Sequence, residues 1–405
     1  MAIILTPILV QYLSVIPGVM LGELILVFAA IFLMIVMGGK ISISKTKPLV
    51  FFWFFGMLIS MVSFLFQQNI PMESLTRIIR YSFYIYLIIL SAKHFKIDYG
   101  IKILHLLSVA ISVYIILQFI AFNFIGIVLP FKILPFPLYR NVDMQEVFRV
   151  ATTYYFRPMG VFVEPGFAAQ FLLPGLIFSL FGNLSKNKTE YKSAVVIFIA
   201  IFLTTSTQGV FFGLIAIAAY LLYNIKSDLK QGNGLKAILL IFIALIAGFY
   251  ILNMDAIKLA INKVTWAGSA GSSASLRILR GFAVFLSLPF IYKIIGVGHG
   301  NLGNFVLEHQ IITKYDPIVM TQLAADYANS ISMTLLYYGV FGFLILCYIY
   351  WKFLRETEKE FRLLVIINVG LIFVAGALFN YLMLYYFAFI YAGYSKRRKG
   401  EGTKL

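Results

Sequence analysis

Residues 101–124 read IKILHLLSVAISVYIILQFIAFNF, an apolar run with few polar side chains. A helix needs about 20 consecutive apolar residues to cross a bilayer, so this run predicts a membrane-spanning α-helix. Similar runs follow on both sides of it. Of the 405 residues, 61% are hydrophobic and 12% are charged, whereas a soluble domain usually carries about 25% charged residues. The composition therefore predicts an all-α integral membrane protein and excludes a soluble globular domain.

Reading outward from this run gives about twelve spans. The spans are predicted at 3–16, 19–38, 48–66, 75–92, 101–124, 160–182, 193–206, 208–223, 237–253, 327–351, 363–376 and 378–393. From hydropathy alone, the stretches 193–223 and 363–393 could each be one long helix or two short ones.

The basic residues decide between one helix and two. They lie in short clusters between the spans: Lys40, Lys45, Lys47; Lys93, Lys96, Lys102; Lys186, Lys188, Lys192; Lys226, Lys230, Lys236; Lys352, Arg355, Lys359, Arg362; and Lys396, Arg397, Arg398, Lys399. All clusters face the cytoplasm, as the positive-inside rule requires, only if both ambiguous stretches are hairpins. We therefore predict both termini in the cytoplasm and attribute the net charge of +17 to orientation, not to nucleic-acid binding.

This topology divides the chain into six regions. They are amino-terminal spans (1–124), a first extracytoplasmic loop (125–159), central spans (160–253), a large extracytoplasmic loop (254–326), carboxy-terminal spans (327–393) and a basic cytoplasmic tail (394–405). The large loop is too polar to cross the bilayer but contains apolar pieces such as Gly281 to Ile295. We expect it to form a small external cap with short membrane-surface helices.

The first candidate site is Arg157-Pro-Met-Gly160-Val-Phe-Val-Glu164-Pro165-Gly166, which closes the first outer loop and opens a span. A helix would place Arg157 and Glu164 on one face, two turns apart. Pro165 suits the first turn of a helix. A guanidinium at a helix mouth can bind phosphate through two hydrogen bonds. The alternative is a structural Arg–Glu pair that fixes the helix end.

The second candidate site, Ser275-Leu-Arg277-Ile-Leu-Arg280, lies in the large outer loop. In an α-helix Arg277 and Arg280 lie on the same side, and two arginines at a membrane surface suit a diphosphate. Contact with lipid headgroups is the alternative. Arg77 and Arg80, at the outer start of a span, either snorkel to headgroups or line a cavity for an anionic substrate.

Further candidates lie in a glycine-rich turn and at the entrance to a late span. His299 lies within 295–301, IGVGHGN, and could act as a base near neutral pH or be structural. Asp326, Tyr327 and Asn329 either line a site or cap the helix that follows them.

Several functional classes lack their sequence signatures. The sequence contains no HExxH, no Walker loop and no paired DxD carboxylates, and Cys347 is its single cysteine. We therefore predict no metal, no nucleotide and no other cofactor. A substrate must arrive already activated, or the protein only transports.

Taken in chain order, these motifs resemble the Wzy-type O-antigen and capsule polymerases, which share a superfamily with the O-antigen ligases. The shared features are R-x-x-G-x-F-x-E-P-G from Arg157, the hairpin tip Thr204-Thr-Ser-Thr-Gln-Gly209, an outer loop with S-x-R, a G-x-G-x-G turn, and Asn329 before a helix containing Tyr338-Gly-Val-Phe-Gly342. The resemblance covers about residues 150–345, and the amino-terminal third matches only in its hydropathy.

The resemblance implies a bacterial, metal-independent glycosyltransferase at the outer face of the cytoplasmic membrane. Such an enzyme joins oligosaccharide repeat units carried on undecaprenyl diphosphate, so its partners would be that lipid-linked oligosaccharide, membrane lipids, a chain-length regulator and a flippase. The implied catalytic residues are Glu164, His299 and Asp326, and the implied substrate-binding residues are Arg157, Arg277, Arg280, Tyr327 and Asn329.

Two rival functions share this topology. O-antigen ligases usually carry a histidine just before the asparagine of the late helix, where this chain has Asp326 and Tyr327, and that difference favours a polymerase. A flippase or transporter is expected to show two similar halves, and the sequence shows no such repeat. A purely structural membrane protein would not need the arginine pairs.

Overall fold

The computed structural model describes residues 1–37, 43–65, 72–139, 156–181, 190–230, 275–316 and 328–401. Helices account for 77% of the structure and no β-strand occurs among the described residues, which confirms the predicted all-α class. The helices are α1 (Ala2–Leu9), α2 (Leu21–Met37), α3 (Lys47–Leu65), α4 (Met72–His94), α5 (Ile97–Ile120), α6 (Pro165–Phe181), α7 (Tyr191–Leu203), α8 (Thr207–Lys230), α9 (Gly281–Ser287), α10 (Phe290–Ile295), α11 (Leu302–Glu308), α12 (Ser330–Glu356), α13 (Lys359–Val374) and α14 (Tyr381–Glu401). π-helical turns at Ala121–Ile125 and Ser275–Arg280 follow α5 and precede α9, and a 3₁₀ turn at Ala377–Phe379 precedes α14.

Several helices have the length and composition of membrane spans. Within the described residues, the stretches that can cross a bilayer are Lys47–Leu65, Ser74–His94, Ile97–Ile125, Thr207–Ile225 and Ser330–Glu356. Shorter apolar helices cover Leu21–Val36, Pro165–Phe181, Tyr191–Leu203 and Phe361–Val374. Large apolar side chains such as Phe51, Phe54 and Met61 of α3 are exposed, as expected for a surface that faces lipid. These features indicate a membrane-embedded protein.

The predicted span 3–16 is wrong. Helix α1 ends at Leu9 and contains Pro7, and a helix of 8 residues covers only about 12 Å. After it Val10 and Gln11 form a turn, and Tyr12 forms an antiparallel bridge with Leu138. The predicted span 237–253 lies outside the described residues, so the described part of the chain does not hold twelve spans.

Both ambiguous stretches are interrupted, as the charge pattern predicted. Residues 204–206 separate α7 from α8, and residues 375–380 separate α13 from α14. Helix α14 then continues to Glu401, beyond the predicted end of the last span at 393.

The helices form two compact units. One contains Met1–Ile31 and Lys96–Asn262, and the other contains Phe32–Phe95 and Lys263–Leu405. We call them the first and the second unit.

In the first unit, α5 and α6 run in opposite directions. His105, near the start of α5, hydrogen-bonds through Nδ1 to the hydroxyl of Ser179 near the end of α6, at 3.1 Å. Between these ends the helices approach closely, because a Cβ on Gly175 would collide with Ser108. Small residues permit this contact between helices in a membrane.

Helices α6 and α8 run parallel. Near their starts, a Cβ on Gly209 would collide with Ala169. Farther along, the ring of Phe181 at the end of α6 packs edge-on against Tyr220 of α8 at 5.6 Å. The amino-terminal ends of α6 and α8 therefore lie side by side.

In the second unit, α12 is interrupted at Gly339, where φ is 64° and ψ is −167°. Glycine adopts this conformation readily because it has no Cβ. The turn after α10 packs against the interruption: the N–H groups of Val297 and Gly298 donate to the carbonyls of Leu336 and Tyr337, at 2.8 and 3.0 Å. These bonds satisfy carbonyls that a continuous helix would have used.

The apolar stretch 281–295 forms short helices that pack against a longer one. Helices α9 and α10 pack against α12, and Val284 and Leu288 are buried. Leu286, Phe290 and Ile291 remain exposed, so these short helices pack against α12 with one face, and the external position of the cap stays a prediction.

A group of lysines lies at one end of each unit. In the first unit, Lys96 precedes α5 and Lys192 is in the first turn of α7. In the second, Lys47 begins α3, Lys93 is in the last turn of α4, and Lys352 near the end of α12 lies over the ring of Tyr394. The candidate arginines lie at the opposite ends.

Candidate functional site

The Arg157 motif is a turn that leads into a helix. Helix α6 begins at Pro165, which therefore has the predicted first position. Residues 157–164 are not helical. The helical-face argument for Arg157 and Glu164 is therefore wrong, and other contacts must position the two side chains.

Glutamines hold this turn in place. The side chain of Gln118, buried in the last turns of α5, accepts from the N–H groups of Met159 and Gly160 at 3.2 and 2.8 Å. Its Nε2 donates to the carbonyl of Gly160 at 2.9 Å, and the Gln11 amide donates to the carbonyl of Val161. Buried backbone groups need such partners where no helix supplies them.

Arg157 itself is bound to the tip of the α7–α8 hairpin. Its Nε donates to the hydroxyl of Thr205 at 2.9 Å, and Nη2 donates to the carbonyl of the same residue at 3.2 Å. Both bonds use one edge of the planar guanidinium, and the side chain remains partly exposed. Thr205 lies just beyond the carboxyl end of α7, where a cation is favourable.

The starts of α6 and α8 meet next to this arginine. The side chain of Gln208 donates to the carbonyl of Gly166 at 3.5 Å and links the two ends. Ser206 accepts from the N–H of Gly209 and caps α8. Glu164 is partly buried and directly precedes α6. The positive end of the helix dipole stabilises a carboxylate at this position. A guanidinium and two positive helix ends therefore lie together in the first unit.

His299 lies deep in the second unit. Its ring stacks on Tyr81 with 4.8 Å between centroids and contacts the rings of Tyr337 and Phe379 at 4.9 and 5.4 Å. Nδ1 is 3.1 Å from the hydroxyl of Tyr338, with the proton on either atom. The side chain is 5% exposed.

The glycines around His299 explain this depth. Gly298 and Gly300 have φ of 88° and 79°, and added Cβ atoms would lie 3.1 Å from Ser60 and 3.0 Å from Ser74. The N–H of His299 donates to the hydroxyl of Ser60 at 2.8 Å. The G-x-G-x-G turn therefore serves close packing against α3 and α4.

Burial, together with the positive charge of Arg77, lowers the pKa of His299 to about 3. The imidazole is then neutral at neutral pH. A group with this pKa is a weak proton acceptor, because an efficient general base has a pKa near the working pH. The environment favours a packing role for His299 over the predicted catalytic one.

We expect His299 to make the second unit less stable in acid. The pKa of His299 is 6.5 in the unfolded state and about 3 in the folded state. The free energy that the neutral His299 contributes to stability is therefore fully present above pH 6.5 and is lost as the pH falls toward 3. Between pH 7 and pH 5 the loss is about 2 kcal/mol. Thermal unfolding in detergent at the two pH values measures it.

His299→Gln should reduce this acid sensitivity, because glutamine does not titrate. His309→Gln is the matched control, since His309 is exposed at the end of α11, and it should unfold with the wild-type pH dependence. Equal acid sensitivity in His299→Gln and wild type would contradict a depressed pKa.

The arginines of the second candidate site have different environments. The segment Ser275–Arg280 is a π-helical turn, in which three residues cover less of a turn than in an α-helix. Arg280 is 1% exposed and forms an ion pair with Asp316. Arg277 is partly exposed. The predicted shared face of Arg277 and Arg280 is therefore not formed.

Asn329 caps α12. Its Oδ1 accepts from the N–H of Ser332 at 2.8 Å, and its Nδ2 donates to the carbonyl of Ile278 at 3.2 Å. The cap was the alternative to a substrate role, and the second bond attaches the arginine turn to α12. Asp326 and Tyr327 lie outside the described residues.

The sequence reasoning missed Gln118 and Asp316, and it named Thr205 only as part of the hairpin-tip motif, without a role. It searched for ionisable groups at helix mouths and so passed over Gln118, although an amide within an apolar run was a visible signal. Asp316 carried no comparable signal, because its partner Arg280 is distant in the chain. For the same reason the motif that contains Thr205 gave no sign of its bond to Arg157.

Comparison of the chain with protein-family models and with curated proteins finds no match. A functional assignment therefore depends on the residues themselves and on the geometry described above.

Proposed function

We propose that this chain is a polysaccharide repeat-unit polymerase of the bacterial cytoplasmic membrane. It would transfer a growing glycan from undecaprenyl diphosphate to a new lipid-linked repeat unit at the outer face. The proposal combines the motif order of the Wzy-type polymerases with the chemistry of the first unit.

The observation that carries the proposal is the position of Arg157. Its guanidinium is held by Thr205 beside the parallel amino-terminal ends of α6 and α8. Helix amino termini bind phosphate through their N–H groups and dipole, and a guanidinium adds a full charge with planar geometry. A diphosphate is the substrate group that this arrangement fits best.

The charge distribution supports the proposed orientation. The five lysines named above lie at one end of their units, and Arg157 and Arg277 lie at the other. Under the positive-inside rule the lysine ends face the cytoplasm and the arginine ends face outward. The carboxyl end of α14, next to Lys352, would then be cytoplasmic, and lipid-linked repeat units would be bound at the outer face. The predicted cytoplasmic amino terminus depended on the span 3–16, which α1 is too short to provide.

The proposed reaction needs charge stabilisation and one proton acceptor. The bond between the anomeric carbon and the lipid diphosphate breaks, and a bond forms from that carbon to a hydroxyl oxygen of the acceptor sugar. Arg157 would stabilise charge that builds on the departing diphosphate. Arg277, in the second unit, is proposed separately as a substrate-binding residue. Glu164 is our proposed base for the hydroxyl proton, because it is partly exposed at the start of α6.

Deletion of the gene in its host tests the function directly. A polymerase null should leave single repeat units attached to the surface and lose the ladder of longer glycans on a gel. Long chains that remain on the lipid carrier would instead identify a ligase. Loss of all surface-attached repeat units would identify a flippase. Complementation with the intact gene is the control and should restore the ladder.

A further inference from the structure

The hairpin tip between α7 and α8 contains an unusual residue. Thr205 has a φ of 49°. This left-handed conformation is uncommon for any residue other than glycine and is strained for a β-branched one. Strained backbone persists where the surrounding structure enforces it, and such residues cluster at functional sites.

The neighbours of Thr205 enforce this conformation. Thr204 is fully buried, and its hydroxyl donates to the carbonyl of Ile201 at 2.7 Å. The N–H of Ser206 donates to the Thr204 hydroxyl at 3.3 Å. Ser206 is also buried and caps α8. The tip is therefore fixed on both sides of Thr205.

The strained residue supplies two acceptors for Arg157. Its hydroxyl binds Nε and its carbonyl binds Nη2, so one edge of the guanidinium meets two oxygens of a single residue. Glycine would adopt this backbone conformation without strain and would supply the carbonyl. Only a hydroxyl-bearing residue supplies the second acceptor as well.

We infer that Thr205 is a positioning residue, which sets the plane of the Arg157 guanidinium before the diphosphate binds. This inference rests on the proposed function. A charged group held in its binding geometry loses less freedom when the ligand arrives, and small displacements of such groups have large effects on binding and rate. The hydroxyl of Thr205 therefore acts through Arg157 and needs no contact with the substrate.

Binding of inorganic pyrophosphate to the purified protein, measured by titration calorimetry in lipid nanodiscs, tests the inference. Thr205→Val should weaken binding roughly tenfold, the effect of one hydrogen bond to a charged group. Thr205→Gly should weaken it similarly although it relieves the strain. Thr205→Ser should bind within about twofold of wild type, because serine keeps the hydroxyl. Thr357→Val, which removes a buried threonine hydroxyl at the lysine end of α12, should bind as wild type does.

The outcomes separate this inference from the function on which it rests. Wild-type binding by Thr205→Val or Thr205→Gly, with binding lost in Arg157→Ala, would overturn the role of Thr205 and leave the phosphate site standing. Weak binding by Thr205→Ser would also overturn it. Unchanged binding by Arg157→Ala would instead remove the phosphate site. A melting temperature for each variant identifies any that fail to fold. If Thr205→Val does not fold, Thr205→Gly still tests the inference.

Discussion

Arg157→Ala is expected to abolish the glycan ladder while full-length protein remains in the membrane. Loss of one preorganised donor to a developing anion lowers rates by about 10²–10³-fold. Such a loss leaves single repeat units on a gel. The effect on folding should be smaller, because the two bonds to Thr205 are partly exposed and contribute about 1–2 kcal/mol together.

Other arginine variants make this prediction specific. Arg157→Lys should recover only part of the ladder, since lysine keeps the charge but not the planar fork. Arg277→Ala in the second unit should also lose the ladder. Arg355→Ala is the matched control, because Arg355 lies over the ring of Trp351 at the lysine end of α12. Full-length ladders from both Arg157→Ala and Arg277→Ala would show that our phosphate assignment is wrong.

Hydropathy predicted most helices correctly because a bilayer selects length and apolarity, which are local properties of the sequence. It failed at 3–16 because backbone groups in an apolar segment can also form hydrogen bonds outside a helix. Here Tyr12 forms an antiparallel bridge with Leu138. It also gave no sign of the interruption at Gly339. That interruption depends on the approach of Ile294, whose carbonyl leaves no room for a Cβ.

The candidate site was predictable to the extent that it contains charged side chains, whose burial in a membrane costs free energy. Charged residues at helix mouths are few in an apolar sequence, so Arg157 and Glu164 stood out. Their geometry was not predictable, because Gln118 binds the backbone of the turn between them and Thr205 binds the Arg157 side chain. Both residues are distant from this turn in the chain. Local reasoning about helical faces could not anticipate a turn held by such contacts.

His299 shows the same limit for function. A histidine in a glycine-rich turn has the chemistry of a base, and the sequence gives no measure of its burial. In the structure the flanking glycines allow the turn to pack between helices, and the ring is surrounded by aromatic groups. The surroundings that remove its charge are assembled from α3, α4 and α12, far from it in the chain.

Arg280→Ala is expected to lower the free energy of unfolding by about 3–5 kcal/mol, because it leaves the charge of Asp316 buried without its partner. The two side chains are 1% and 4% exposed, so water cannot replace the lost guanidinium. Asp316→Ala should destabilise by a similar amount. Thermal unfolding in detergent and the protein level in membranes measure both.

A double variant separates stability from substrate binding. Arg280→Gln combined with Asp316→Asn removes both charges and keeps hydrogen-bonding groups, so it should regain much of the stability that either alanine variant loses. Arg277→Ala is the matched control, since Arg277 is partly exposed and its loss should leave the melting temperature nearly unchanged. A wild-type melting temperature for Arg280→Ala would contradict the expected cost of the buried pair. If the double variant regains both stability and the ladder, Arg280 is needed only to stabilise the folded protein. If stability returns without the ladder, its guanidinium binds the diphosphate, as the Wzy resemblance implies.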